Sequence, residues 1–211
     1  MKVTGNKWFP LAAAILVVAI IAFFLLSRMN EDKLPVEGDA PAFSLQNTEG
    51  ETITLDNTAG KARLIYFFFA HCPDVCLPTN AMLSKVQEEL KERGVFGDEA
   101  ILMSVTFDPE RDTADYLKEY MSNMNADATG WHYLRSDDVD YVRSVAESYG
   151  VTVIPVEDGT NFIHANLYTL VDGDGKIRKV YSPNVVFRES SPVPADELIN
   201  EIVQDMVSLT K

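Results

Sequence analysis

The sequence predicts an α/β sandwich, a mixed central sheet with helices on both faces, behind one N-terminal transmembrane helix. Three observations predict it. Two apolar runs, Leu64 to Ala70 and Ala100 to Phe107, read as strands buried on both faces. Amphipathic helical patterns alternate with them, which is the order of a layered α/β domain. Between Lys7 and Arg28 no residue is charged.

Trp8 to Ser27 supplies twenty residues, enough to cross a hydrocarbon core of roughly 30 Å as a helix. A cleaved signal peptide is the competing reading. The run is long for one, and the Ser-Arg-Met-Asn-Glu-Asp that follows offers no small-x-small cleavage site, so an uncleaved anchor is expected. No cysteine closes the run to take a lipid. Lys2 and Lys7 precede it, so the N-terminus stays cytoplasmic and the domain faces the outer, periplasmic side of the cytoplasmic membrane. The expected organisation is therefore 1–7 cytoplasmic, 8–27 anchor, 28–40 a polar acidic tether with Pro35 and Gly38, and 41–211 the folded domain.

Within the domain, Phe43 to Gln46 and Thr52 to Leu55 flank a Thr-Glu-Gly turn as an N-terminal β-hairpin. After the first buried strand come Cys72 and Cys76. Thr79 to Arg93 carries Met82, Leu83, Val86 and Leu90 at helical spacing, with Gly94 placed to end the helix. The second buried strand leads into Asp108-Pro-Glu-Arg-Asp-Thr, where Thr113 caps a helix reaching about Met121. Trp131 to Leu134 reads as a short strand and Asp138 to Tyr149 as a helix ended by Gly150. Val151 to Ile163 reads as irregular. Leu167 to Val171 and Ile177 to Tyr181 form a hairpin across Asp-Gly-Asp-Gly, and Ala195 to Leu209 closes the chain with an amphipathic helix. That order is the order of a thioredoxin-like sandwich.

Charge excludes some functions. Three of the 18 basic residues and none of the 32 acidic ones lie in residues 1–30, which leaves 15 against 32 and a net −17 on the rest. Such a surface repels phosphate backbones and anionic lipid headgroups, so no nucleic acid is expected as a partner. The membrane enters only through the N-terminal helix.

Cys72 and Cys76 are the only cysteines. A bridge across three intervening residues removes little chain entropy, and a domain of this size has core enough without a staple, so the pair is functional. Pro73 makes Cys72 extended, and Pro78 suits the first turn of the next helix. Thiols at the N-terminal end of a helix are biased towards thiolate. Two such sulfurs make and break a disulfide or hold a soft metal. Thiol exchange favours two intervening residues, and three let the sulfurs stand apart as ligands without forbidding a disulfide. A metal would want a third donor. His71 points away from Cys72 by strand alternation, and His132 reads as a partly exposed strand residue. His164 precedes the strand expected beside the cysteine strand, where thioredoxin-like oxidoreductases place a proline.

These blocks, Phe69-Ala-His-Cys-Pro-Asp-Val-Cys, Ser104-Val-Thr-Phe-Asp-Pro-Glu-Arg-Asp-Thr, and His164 ahead of Leu-Tyr-Thr-Leu-Val-Asp-Gly-Asp-Gly, resemble the SCO/SenC family over roughly residues 37–210. Its members are membrane-tethered, thioredoxin-fold copper proteins of cytochrome c oxidase assembly. The resemblance implies copper held by Cys72, Cys76 and His164. It also implies copper delivery to, or thiol reduction at, the dinuclear copper centre of oxidase subunit II, with an upstream copper donor as a further partner. Two departures are visible: Ile163 stands where the family often has Asp, and Val151 to Phe162 matches poorly.

The donor chemistry agrees with copper. Cu(I) favours thiolates and imidazole suits both oxidation states, whereas a structural zinc more often takes four protein ligands. Asp74 is a candidate weak ligand. Asp108 and Arg111 are candidate supports of the site, in a loop whose simpler role is helix capping. The leading expectation is a metallochaperone without catalytic residues. The alternatives are a thiol:disulfide reductase using Cys72 and Cys76, or a redox sensor. Asp172-Gly-Asp-Gly lacks a glutamate at position twelve of a calcium loop, Met121 and Met124 read as packing residues, and no phosphate-loop, serine-nucleophile or peroxidatic-cysteine pattern occurs.

Overall fold

The computed structural model describes residues 16–20, 34–72, 76–156, 160–186 and 194–210. In chain order the elements are β1 (Gly38–Asp39), β2 (Ser44–Asn47), β3 (Thr52–Thr54), β4 (Ala62–Phe68) and α1 (Cys76–Glu92). Then come β5 (Ala100–Thr106), α2 (Ala114–Asn123), β6 (Trp131–Arg135), α3 (Val139–Ser148), β7 (Val153–Pro155) and β8 (Phe162–His164). β9 (Tyr168–Val171), β10 (Lys176–Tyr181) and α4 (Ala195–Ser208) complete the set.

The main sheet runs β1-β10-β9-β4-β5-β6-β2-β3. Every residue of β4 and β5 is buried, as their continuous apolar runs require of central strands covered on both sides. The two pair in parallel from Ala62 opposite Ala100 to Phe68 opposite Thr106, so they end together. β6 joins β5 in parallel, and β9 joins β4 antiparallel, beside the cysteine strand as the sequence predicts. Successive residues of β4 serve opposite faces. Tyr66 meets Tyr168 edge-on at 5.3 Å, and the Tyr168 hydroxyl donates to the Thr79 carbonyl of α1 at 2.7 Å. Phe67 packs instead on Tyr149, which follows α3, at 5.4 Å.

The N-terminal hairpin is β2 with β3, and the second hairpin is β9 with β10. In the turn of the latter, the Asp172 carboxylate accepts from the Asp174 and Lys176 amides, the work of a turn residue and not of a cation loop. α2 and α3 start where the capping residues predict, with the Thr113 and Asp138 side chains accepting from the Tyr116 and Tyr141 amides.

Three features differ from the sequence reading. Helix α1 begins at Cys76, three residues before Thr79, because Pro78 is tolerated in a first turn whose amides have no intrahelical acceptor. Val151 to Ile163 is not irregular: β7 and β8 pair as a separate two-stranded sheet. Three-residue strands, one containing Pro155, are too short for periodicity to register. Gly38–Asp39, inside the segment read as a tether, pairs with β10 at the sheet edge. The chain divides into two units, Met1–Leu34 and Pro35–Lys211. The expected anchor at 8–27 lies outside the described residues except for 16–20, which are helical. No helix among the described residues is long and apolar enough to cross a membrane.

His132 lies in β6 opposite Met103, where burial, helped by the charge of Lys61, holds its pKa below the usual imidazole value. The unfolded imidazole, near the ordinary value of about 6.5, takes a proton that the folded one resists, so stability falls as pH drops through about 6.5. Urea unfolding at pH 7.5 and 5.5 should show a smaller acid loss for His132→Gln than for the parent chain. Identical losses would remove His132 from the account.

Candidate metal centre

The loops that follow β4 and β5 leave the sheet side by side, because the two strands end in register. One carries Cys72. The other, Phe107 to Thr113, folds back and supports it. Asp112, fully buried, is the joint between them. Its carboxylate accepts from the Ala70 amide at 2.8 Å, the Thr106 hydroxyl at 2.5 Å and His71 Nδ1 at 2.9 Å. The His71 ring also stacks on Tyr116 at 4.4 Å. Thus the two residues before Cys72 are held by one carboxylate. The Cys72 amide then donates to the Phe69 carbonyl at 3.3 Å, closing a tight turn that leaves Cys72 half-buried.

Asp108 and Arg111 stand in the same loop. The Asp108 amide donates to the Thr106 hydroxyl, and its carboxylate pairs with Arg111 Nε. Burial pushes the Asp108 carboxyl above its usual range, against the opposing pull of Arg111. Arg111 reaches further: its Nη1 donates to the Thr160 carbonyl at 2.7 Å, and its guanidinium lies over Phe69 and Phe162.

His164 arrives from the other side, on β8. Its ring packs against Phe107 at 5.0 Å and Phe69 at 6.0 Å, the residues just beyond the ends of β5 and β4. Its Nδ1 lies 3.1 Å from the Ala165 carbonyl, which can only accept. The hydrogen bond therefore places the proton of the neutral ring on Nδ1 and the lone pair on Nε2, the tautomer of an Nε2 ligand. Two residues on, Asn166 is buried and donates to the Thr79 hydroxyl of α1 at 3.0 Å and to Asn184 at 2.8 Å. The segment carrying His164 is thereby tied to the first turns of the helix that Cys76 opens.

Cys72, the backbone of Cys76 and His164 are thus attached to one end of the sheet, by Asp112, by Asn166 and by the Phe69–Phe107 pair. Asp74 lies outside the described residues, and Cys76 is described through its backbone alone. Among the described residues no three His, Cys, Asp or Glu side chains gather as a metal-holding group. Sequence reasoning missed two residues here. Asp112 sits inside the loop it singled out, and the signal available was His71, an imidazole in need of an acceptor. Phe162 gave no signal, because its strand was too short to be seen.

A sequence model of the family described as SCO1/SenC matches residues 33–191. The SCO1 protein homolog of Bacillus subtilis (strain 168) is 25% identical over 189 residues, covering 89% of this chain and 93% of that one. Among solved structures, Arabidopsis thaliana ScoI with copper bound is similar at a TM-score of 0.64 and 26% identity, over 80% of this chain and 98% of that one. BsSco, described as a member of the Sco family of cytochrome c oxidase assembly proteins with a disulfide switch, is similar at a TM-score of 0.65 and 25% identity, over 83% and 97%.

Replacing Asp112 by Ala leaves the Ala70 amide and the Thr106 hydroxyl buried without their acceptor. Loss of charge-assisted bonds of this kind should lower unfolding free energy by about 3 kcal/mol. Urea denaturation of Asp112→Ala measures it, and a change below about 1 kcal/mol would show that the carboxylate is not the joint.

Proposed function

The chain belongs to the SCO1/SenC family, and on that premise we propose that it is a copper carrier. It holds the ion through Cys72, Cys76 and His164 and assists assembly of the dinuclear copper centre of cytochrome c oxidase subunit II. The observation that carries this reading is His164. A residue 92 positions after Cys72 packs on the two aromatic residues at the cysteine end of the sheet, in the tautomer that frees Nε2. The copper-bound Arabidopsis relative and the oxidase-assembly description of BsSco support the cargo and the destination.

The donor set suits the task. Two thiolates and an imidazole accept both Cu(I) and Cu(II). Cys76 opens a 17-residue helix, whose N-terminal partial positive charge favours thiolate over thiol at that position. Handover to another thiol-rich site then proceeds by exchange of one ligand at a time, from an upstream donor to this chain and from this chain to the oxidase. We place residues 1–7 in the cytoplasm, the anchor at 8–27, the tether at 28–40 and the copper-binding domain at 41–211 on the outer face of the cytoplasmic membrane. Asp108 and Arg111 act as supports of the site, and Asp74 as an additional weak ligand.

A second reading is favoured by the disulfide switch described for BsSco: Cys72 and Cys76 reduce the copper-site cysteines of the oxidase without carrying metal, or signal through their own disulfide. His164 separates the two. In the reduced full-length chain, His164→Ala should weaken copper retention by more than about 100-fold, beyond the cost usual for outer-shell residues, while dithiol exchange continues. Titration with Cu(II), and with Cu(I) against a chromophoric chelator, measures it. Equal copper binding by the variant would discard the ligand assignment and leave the dithiol reading.

A further inference from the structure

We infer that Phe162 is the positioning residue for His164, a side chain that seats the histidine strand on the cysteine end of the sheet. The inference rests on the reading of His164 as a copper ligand. It begins from a topological fact: β7 and β8 hydrogen-bond to each other and form a sheet apart from the other eight strands. Among the described residues no ladder to β4, β5 or β9 fixes where β8 lies. Side chains do so instead.

Residues two apart on a strand share a face. Phe162 and His164 therefore point the same way, while Ile163 between them is turned outward and is 63% exposed. On the inward face the Phe162 ring meets Phe69 edge-on at 5.1 Å and Phe107 at 5.4 Å, the same two rings that His164 touches. Two guanidinium groups lie over the Phe162 ring, Arg143 at 5.2 Å and Arg111 at 5.6 Å, an arrangement in which cations meet the negative face of an aromatic quadrupole. Arg143 is itself held by the Phe107 carbonyl, and Arg111 by Asp108. The Thr160 carbonyl, two residues before Phe162, accepts from Arg111 as well. Phe162 is thus clamped by groups anchored on α3 and on the β5–α2 loop, and His164 follows it into place one strand period later.

This differs from a packing role. Phe162 is half-buried and belongs to the separate two-stranded sheet, where it covers Phe69 and Phe107 from outside the eight-stranded one. Its effect is expected on the place of one imidazole, beyond its share of the stability of the domain. A tyrosine has the same ring face and edge, so it should serve in its place.

The test uses the reduced full-length chain with Cu(I) against a chromophoric chelator, Cu(II) followed by its thiolate charge-transfer absorption, and hydrogen exchange of the metal-free protein. Phe162→Ala should weaken copper retention by about 10- to 100-fold, the range for residues that orient a ligand. It should also speed amide exchange in the Val153–His164 hairpin by more than its shift of the urea midpoint explains, and Phe162→Tyr should restore both copper retention and exchange. In a His164→Ala background, Phe162→Ala should add no further loss, since a residue that acts through another is silent once that other is gone. Multiplying losses in the double variant would overturn the inference, as would unchanged copper binding in Phe162→Ala where His164→Ala is impaired. Should His164→Ala itself bind copper normally, the ligand reading fails instead, and unchanged hairpin exchange in Phe162→Ala would then overturn the seating role separately.

Discussion

The parallel pairing of β4 with β5 is the constraint on which the rest depends. Seven residues of each strand are buried and matched without a bulge, from Ala62 against Ala100 to Phe68 against Thr106. A slip of one residue would carry Tyr66 and Phe68 to the opposite covered face, away from the Tyr168 and Tyr120 rings they pack on. The register is therefore set by burial. With it is set the level at which both strands stop, and two loops are delivered to one place. Crevices beyond the carboxyl ends of parallel strands are where α/β folds put their ligands, for this geometric reason.

What the loops do there divides into a polar and an apolar half. The polar half is Asp112. A carboxylate taken wholly out of water is costly unless its oxygens are fully used, and here an amide, a hydroxyl and an imidazole use them. Those three donors come from the end of β4, the end of β5 and the residue beside Cys72, so satisfying one buried charge fixes the cysteine turn. The apolar half is the group of Phe69, Phe107 and Phe162 with His164 against it. Edge-on rings bring about 0.5–1.5 kcal/mol per pair beyond the area they bury, a modest energy suited to a strand that is placed but not welded. A histidine fixed by side-chain contacts on a separate hairpin is easier to withdraw than one in the central ladder.

The departure from the family pattern at Ile163 takes on a physical sense in this setting. Strand alternation turns residue 163 away from the site while 162 and 164 face it, so an apolar residue there does not displace the imidazole. The loop around Asp108 likewise does more than cap a helix. Thr113 does the capping, while Asp108, Arg111 and Asp112 hold the turn and the hairpin on either side.

The sequence by itself determined the buried strands, the helix starts at Thr113 and Asp138, both hairpins that flank clear turn residues, and the candidate donors. Each of these is a local matter of periodicity, capping and side-chain chemistry, readable over a few residues. The tertiary structure alone decided that Cys76 begins its helix, that Val153–Pro155 and Phe162–His164 pair, and that Asp112 and Phe162 fix the flanks of the site. Most partners of Asp112 and Phe162 lie 41 to 93 positions away, and β7 and β8 are too short to carry a period. Which acceptor an exposed His71 finds, and which rings a half-buried Phe162 meets, are set only when the ends of β4 and β5 are brought side by side.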